Sequence, residues 1–321
     1  MDSFSVCVTR RRQEAEGIVS LELSDPHGDN LPSFAAGAHI DVQIAPGVTR
    51  QYSLFNSPAE RHRYCIAVLK QPDGRGGSRL LHETLHEGDE LTVSAPRNAF
   101  ELDESAAHSV LLAGGIGITP LVAMAQTLHE SGRSFELHYC ARSRARAAFV
   151  AELASAPFAG SVRFHFDDEA APASASFDAA HLAAAARGDD AHLYVCGPGG
   201  FMDHVLGAAR NTWSQEALHF ERFSPPAATG SGERAFRVVL ARSGQAFEVP
   251  AHRSLLHTLH AHGVAVPASC EQGVCGTCVV GLLDGEADHR DTWLTDAERR
   301  EGRQLVLCCS RARSETLTLD L

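Results

Sequence analysis

The sequence predicts a multidomain protein: an antiparallel β-barrel, then an α/β domain on a parallel sheet, then a smaller α+β domain. Three observations carry this. Short β-like runs, separated by turn residues at short intervals, fill the first hundred residues, which is the pattern of a small barrel or sandwich. Strand-like and helix-like segments then alternate, as βαβ units do. A Pro/Gly/Ser stretch over Ser224–Gly232 follows, and such composition marks a mobile boundary between domains. The expected domains are 1–102, 103–223 and 234–321, with a linker at 224–233.

In the first domain the β-like runs are Ile18–Leu23, His39–Ile44, Tyr64–Lys70 and Glu90–Ser94, with an amphipathic helix over Ser78–Leu85. The second opens on a short, wholly apolar strand, Ser109–Ala113. A glycine-rich turn and a helix over Pro120–Leu128 follow. Strands Phe135–Cys140, Val162–Phe166 and His192–Cys196 then alternate with helices over Ala145–Ala154 and Phe177–Ala186. Past the linker, Phe236–Leu240 and Ala246–Val249 form a hairpin around Ser243-Gly244. A helix over Leu255–His262, the cysteine loop and a closing strand Thr316–Leu319 complete the chain.

Composition excludes several classes. The 321 residues are 44% hydrophobic and 21% charged, ordinary for a globular protein and long for one core. No run of eighteen apolar residues suggests a membrane span, and the first residues do not resemble a secretory signal. A net charge of −12 argues against nucleic acid as partner. It suits a basic protein patch, or solubility alone. The nine cysteines, without a signal segment, do not read as a disulfide framework. A cytoplasmic location and a metal or cluster are the expectation. The eighteen histidines are dispersed and none is assigned as a ligand. Asp284, Glu286, Asp288 and Asp291 form either a docking face or a solvated acidic loop.

Cys270, Cys275 and Cys278 have the spacing C-x₄-C-x₂-C, with Cys308 and Cys309 further on. This is the plant-type [2Fe–2S] spacing. Gly273 and Gly276 permit tight turns that aim N–H groups at sulfur. A zinc site is the alternative, although zinc is more often held by two short knuckles. Spacing alone leaves Cys308 and Cys309 both open as the fourth ligand.

Four further motifs stand in order. Arg50-Gln51-Tyr52-Ser53 ends a barrel strand, and Gly74-Arg75-Gly76-Gly77-Ser78 leads into a helix whose bare N–H groups favour an anion. Gly114-Gly115-Ile116-Gly117-Ile118-Thr119-Pro120 follows a parallel strand and opens a helix, and Cys196-Gly197-Pro198-Gly199-Gly200-Phe201-Met202 ends a later one. Both loops fall at C-terminal strand ends, where open α/β sheets bind ligands.

Together with Asp288-His289-Arg290-Asp291 and Cys308-Cys309-Ser310-Arg311-Ala312, these segments resemble the phthalate dioxygenase reductase family over nearly the whole chain. The resemblance implies a flavin-binding β-barrel, an α/β nucleotide domain and a β-grasp [2Fe–2S] ferredoxin domain. It makes Cys270, Cys275, Cys278 and Cys308 the cluster ligands, because the family's fourth ligand stands three residues before the Arg-Ala pair. It assigns the flavin to Arg50, Gln51, Tyr52, Ser53, Ala67, Val68, Leu69, Gly76, Gly77, Ser78, Thr119 and Phe223. In this set Arg50 faces phosphate, Tyr52 the flavin ring and Ser53 the reacting edge. The resemblance also leads us to expect a basic residue at Leu69, whereas the lysine here is Lys70. Nicotinamide falls to Gly115, Gly117, Ile118, Thr119, Arg142, Cys196, Gly197, Pro198 and Met202.

The resemblance further implies FMN, with FAD as the alternative, because no element that would hold an adenine is evident. NADH is implied as co-substrate. NADPH is the alternative, because Arg142, Arg144 and Arg146 make the ribose end basic. The expected activity is electron transfer from NADH through FMN and the cluster to a Rieske-type oxygenase, with vanillate demethylase reductases as near relatives. Two rival classes stand beside it: an electron carrier with vestigial sites, which the intact Arg50, Ser53, Gly117 and Gly197 argue against, and a zinc-stabilised interaction protein, which metal analysis finding zinc and no iron would support.

Overall fold

The computed structural model describes residues 3–46, 48–72, 76–169, 190–223, 234–268, 271 and 273–321. The chain forms two compact units, Met1–Glu221 and Arg222–Leu321.

The first unit opens with strands β1 (Ser3–Ala15), β2 (Ile18–Ser24), β3 (Ala38–Ala45), β4 (Val48–Ser53), β5 (Tyr64–Leu69), β6 (Glu90–Ser94) and β7 (Arg97–Asn98), with helix α1 (Gly77–Thr84) between β5 and β6. Their order is β4-β3-β6-β1-β2-β5, with β7 on β3, and every pairing is antiparallel. Leu54, just past β4, bridges Ile66 of β5, and the Phe55 N–H donates to the Cys65 carbonyl at 3.0 Å. The last strand thus returns to the first, and closure removes the exposed edges that an open sheet would present. Alternate residues point inward: Leu21 and Leu23, Ile40 and Val42, Ile66 and Val68 share one core, and α1 plugs it with Leu81. The sequence reading missed β1, because its second half carries Arg10-Arg11-Arg12 and hides the alternation.

The parallel sheet comprises β8 (His108–Gly114), β9 (Ser134–Ala141), β10 (Val162–Phe166), β11 (Ala191–Cys196) and β12 (Leu218–Glu221). Its order is β10-β9-β8-β11-β12, and all pairs are parallel. Helices α2 (Ile118–Glu130), α3 (Val150–Ser155) and α4 (Gly199–Ala209) accompany it. The chain leaves β8 towards β9 on one side and later returns to β11 on the other. The C-terminal ends of β8 and β11 therefore flank the switch point, where such sheets bind ligands.

The helix expected over Ala145–Ala154 is shorter. A 3-10 turn covers Arg144–Arg146, and α3 begins only at Val150. Phe149 breaks the run at φ 63 and sets its ring 4.6 Å from Phe55 of the barrel. Tertiary packing overrides the helix propensity of the alanines here. The helix expected over Phe177–Ala186 and the linker over 224–233 lie outside the described residues.

The second unit contains β13 (Phe236–Leu240), β14 (Ala246–Val249), α5 (Leu255–Ala261), β15 (Val279–Asp284), β16 (Ala287–Asp288), α6 (Asp296–Glu301), β17 (Gln304–Val306), β18 (Arg311–Ala312) and β19 (Thr316–Leu319). The main sheet has order β14-β13-β19-β15-β17, and β16 pairs with β18. The β13/β14 pair is the expected hairpin, and β13 lies parallel to β19. Ser254 caps α5 by accepting the His257 N–H at 3.1 Å, which satisfies one orphan donor of the first turn. That helix buries Leu255, Leu256 and Leu259 against Val238, Leu317 and Leu319. A hairpin, a helix across the sheet and a central parallel pair make up the expected β-grasp. Among the described residues no helix is long and apolar enough to cross a membrane.

Candidate functional site

The cysteine loop joins α5 to β15. Cys278 directly precedes β15, and Cys308 follows β17, which pairs with β15 through Val279 and Val306. The Leu307 N–H donates to the Cys278 carbonyl at 3.2 Å. Sheet register therefore brings Cys278 and Cys308 together across thirty residues of chain. Their thiols share a hydrogen bond; together with burial it pushes Cys278 well above the usual thiol range, and Cys275 adds to the rise. Cys275 donates to Thr277 Oγ1 at 3.2 Å. Two thiols thus meet, with Cys275 near enough to act on Cys278 electrostatically, and such thiols lose their protons to a thiophilic metal. Gly273 and Gly276 hold the loop at φ +77 and +69, where a side chain is strained. Cys309 lies against Gly273 of the same loop and shares a hydrogen bond with the Cys308 thiol. Cys270 lies outside the described residues. A soft, all-sulfur donor set in a tight glycine loop fits an iron–sulfur cluster.

The scaffold behind this loop is polar and buried. Asp291 accepts the Leu294 N–H at 2.8 Å and the Ser310 hydroxyl at 3.3 Å. It is 4% exposed and so cannot belong to an acidic docking face. Arg311 donates to the carbonyls of Arg234, Pro250 and Arg253 at 2.9–3.1 Å. The D-H-R-D and S-R-A segments therefore hold the cysteine strands in place.

In the barrel, Arg50 lies across the N-terminus of α1. A β-carbon at Gly77 would come within 2.8 Å of Arg50 Nε. Gly76 caps α1 at φ 84 with no side-chain hydrogen bond. A guanidinium and an uncapped helix end are both electropositive, and an anion between them would stabilise both. Ser78 accepts the Gln71 N–H at 3.1 Å and so closes this loop. Gln51 spends its side chain on His39 and on Asp41, at 3.2 and 3.0 Å, and is left with its backbone for any ligand. Burial pushes the Tyr52 phenol up, so it stays neutral. Ala67 and Val68 are buried and Leu69 is partly buried on β5. Lys70 is engaged with Glu83 of α1 at 3.0 Å.

At the switch point, a 3-10 turn over Gly115–Gly117 leads into α2. Gly115 has φ +52, and a β-carbon at Gly117 would collide with the Cys196 carbonyl. The Gly197 position is equally tight against Gly114 and Phe201. The two glycine loops thus lie backbone to backbone. Neither α2 nor α4 has a side-chain cap, with Pro198 at the start of α4, so the helix dipole of each favours a pyrophosphate. Thr119 is buried and donates to the Ile116 carbonyl at 3.1 Å, and Ile118 is also buried. Met202 lies in the core between α4 and the sheet, so packing is its contribution. Arg142 is exposed after β9. Arg144 is taken up by Glu169 at 3.0 Å and by the Phe166 ring.

Sequence reasoning missed Glu221. It ends β12 in register with Cys196 and accepts the Ser53 hydroxyl at 3.4 Å. Burial pushes its carboxyl up to about 8. Burial, and secondarily Glu221, also hold the Cys196 thiol protonated. An acid amid the apolar run Ala217–Phe220 was the one available signal. Phe223 follows β12 by two residues.

Comparison with known proteins agrees with this geometry. Residues 238–313 match the 2Fe-2S iron-sulfur cluster binding domain, and residues 111–206 match the oxidoreductase NAD-binding domain. These define the class: an NAD-dependent iron–sulfur oxidoreductase. The vanillate O-demethylase oxidoreductase of a Pseudomonas species is 48% identical over 319 residues, covering 99% of this chain and 100% of the relative. The phthalate dioxygenase reductase of Burkholderia cepacia is 43% identical over 315 residues, covering 98% and 96%. A solved phthalate dioxygenase reductase, described as a modular structure for electron transfer from pyridine nucleotides to [2Fe-2S], superposes with a TM-score of 0.79 at 42% identity, covering 99% of this chain and 98% of that one. The chain belongs to the phthalate dioxygenase reductase family.

Proposed function

We propose that this chain is the reductase component of an oxygenase system, carrying electrons from NADH through FMN and a [2Fe–2S] cluster to a Rieske-type oxygenase. The oxygenase would act on an aromatic or similar small substrate. The bound flavin supplies the conversion of a hydride into single electrons, and the cluster supplies their delivery. The observation that carries the reading is the hydrogen bond from Ser53 to Glu221. It joins the end of the barrel's R-Q-Y-S strand to the ligand-binding edge of the parallel sheet, so flavin edge and nicotinamide would meet there.

Arg50, Gly76, Gly77 and Ser78 would bind the flavin phosphate. Tyr52, Ser53, Ala67, Val68, Leu69, Thr119 and Phe223 would surround the ring, with Gln51 contributing main chain. Gly115, Gly117, Ile118, Gly197 and Pro198 would take the nicotinamide cofactor's pyrophosphate, with Cys196 beside its ring and Arg142 at its ribose. The engagement of Arg144 by Glu169 favours NADH over NADPH. The protonated Cys196 and Glu221 keep charge away from the hydride path. Cys270, Cys275, Cys278 and Cys308 would hold the cluster, and its four thiolates with a domain boundary at about residue 233 and a cytoplasmic location complete the reading.

Extraction of the cofactor, together with paired rates, tests it. FMN should be released, and NADH should drive ferricyanide reduction far faster than NADPH. Release of FAD, or equal rates, would contradict the assignment.

A further inference from the structure

The cluster must pass its electron through some surface, and that surface has an apolar centre at Trp293. Among the described residues of the second unit, only Leu283 and Trp293 are large exposed apolar side chains, Trp293 at 45%. Its indole packs against Gly276, where a β-carbon would come within 2.2 Å of the ring. Gly276 stands between Cys275 and Cys278. The ring therefore covers the backbone between two cluster cysteines.

Its position is fixed from both sides. The Thr292 N–H donates to the Gly273 carbonyl at 2.9 Å, and Leu294 is buried in the core of the unit. Nothing local requires an exposed tryptophan there. The neighbouring charges are paired among themselves: Arg290 with Asp288 at 2.8 Å, and Arg299 with Asp291 and Asp296 at 3.7 and 3.8 Å. A rigid, exposed aromatic side chain in a segment whose neighbouring charges are ion-paired resembles the centre of an interaction hot spot. Acidic and basic residues nearly balance over Arg222–Leu321, so net charge offers this unit little attraction of its own.

We propose that Trp293 is the docking anchor through which the oxygenase component seats on the cluster loop, its ring entering an apolar depression beside the acceptor's own iron–sulfur centre. This rests on the reading that an oxygenase accepts the electrons. Docking there places the partner one ring's thickness from the loop that carries Cys275 and Cys278.

The full-length holoenzyme, with the oxygenase component of the Pseudomonas vanillate O-demethylase as probe, tests this in two ways. In hydroxyl-radical footprinting, adding the oxygenase should lower Trp293 oxidation at least about threefold. Trp213, 8% exposed, serves as the unchanged control. Trp293→Ala should raise the KM for the oxygenase about tenfold or more. Ferricyanide reduction and the cluster's visible spectrum should hold, and Trp293→Phe should recover most of the loss. Undiminished labelling with the oxygenase bound, or a KM within about twofold of wild type, would overturn the proposal. Protection that needs only a higher concentration of this chain would also overturn it, in favour of self-association. If Trp293→Ala loses the cluster spectrum, the footprint decides in the same two directions. Wild-type protein that reduces ferricyanide but not the oxygenase would instead remove the reading beneath the proposal.

Discussion

Glu221 shows how one side chain links barrel, sheet and chemistry. Its carboxyl, ordinarily near 4.5, is pushed up to about 8 by burial at the end of β12. In the fold it stays protonated where the unfolded chain would ionise. Its stabilising contribution is therefore complete below about pH 4.5 and is lost as pH rises towards 8. Glu221→Gln should remove this slope. The unfolding free energy of the variant, from denaturant titration, should exceed wild type increasingly from pH 5 to pH 8, by at most about 5 kcal/mol; parallel profiles would show that the carboxyl is not held neutral. A sharper contrast separates two adjacent cysteines. Cys308→Ser should abolish the cluster's visible absorption while Cys309→Ala keeps it, because the Cys308 thiol meets Cys278 whereas Cys309 meets Cys308 and Gly273. Loss of the spectrum in both variants, or only in Cys309→Ala, would reverse the assignment. Sequence spacing left that choice open, since two neighbouring cysteines in the turn after β17 differ only in which way that turn faces them.

Among the elements, strands with clean alternation were legible, and Glu90–Ser94 and Val162–Phe166 match residue for residue. The misses have separate physical causes. β1 is hidden by its arginines, β12 is only four residues long, and the run over Ala145–Ala154 is cut at Phe149 by the ring of Phe55. Glu221 left little trace in the sequence because its partners Ser53 and Cys196 come from distant strands, and only the fold unites them. The glycine motifs were legible as turns, but not their contact with each other. That contact makes Gly117→Ala costly, because the new β-carbon would meet the Cys196 backbone, which cannot yield as a side chain can. A loss of about 2 kcal/mol or more in denaturant unfolding, together with a raised KM for NADH, is expected. At the start of α1, Gly77→Ala meets only the flexible Arg50 side chain. It should lower flavin occupancy after dialysis by severalfold while changing stability by less than about 1 kcal/mol. Unchanged flavin content would take Arg50 and this helix end out of the phosphate site.

For the whole molecule, barrel and parallel sheet form one compact unit and the cysteine loop belongs to another. The order flavin motif, nucleotide motif, cysteine loop was readable from residue types, because each needs particular glycines, an arginine or thiols at short spacing. Electrons entering at the first unit must leave through the second, and that is the central claim. Anaerobic titration of the purified holoenzyme with NADH, followed by visible absorption and electron paramagnetic resonance on the same samples, tests it most directly. The account predicts that the flavin bands bleach and that the signal of a reduced [2Fe–2S] cluster grows to about one spin per chain. Bleaching with no iron signal, or protein that binds zinc in place of iron, would contradict it.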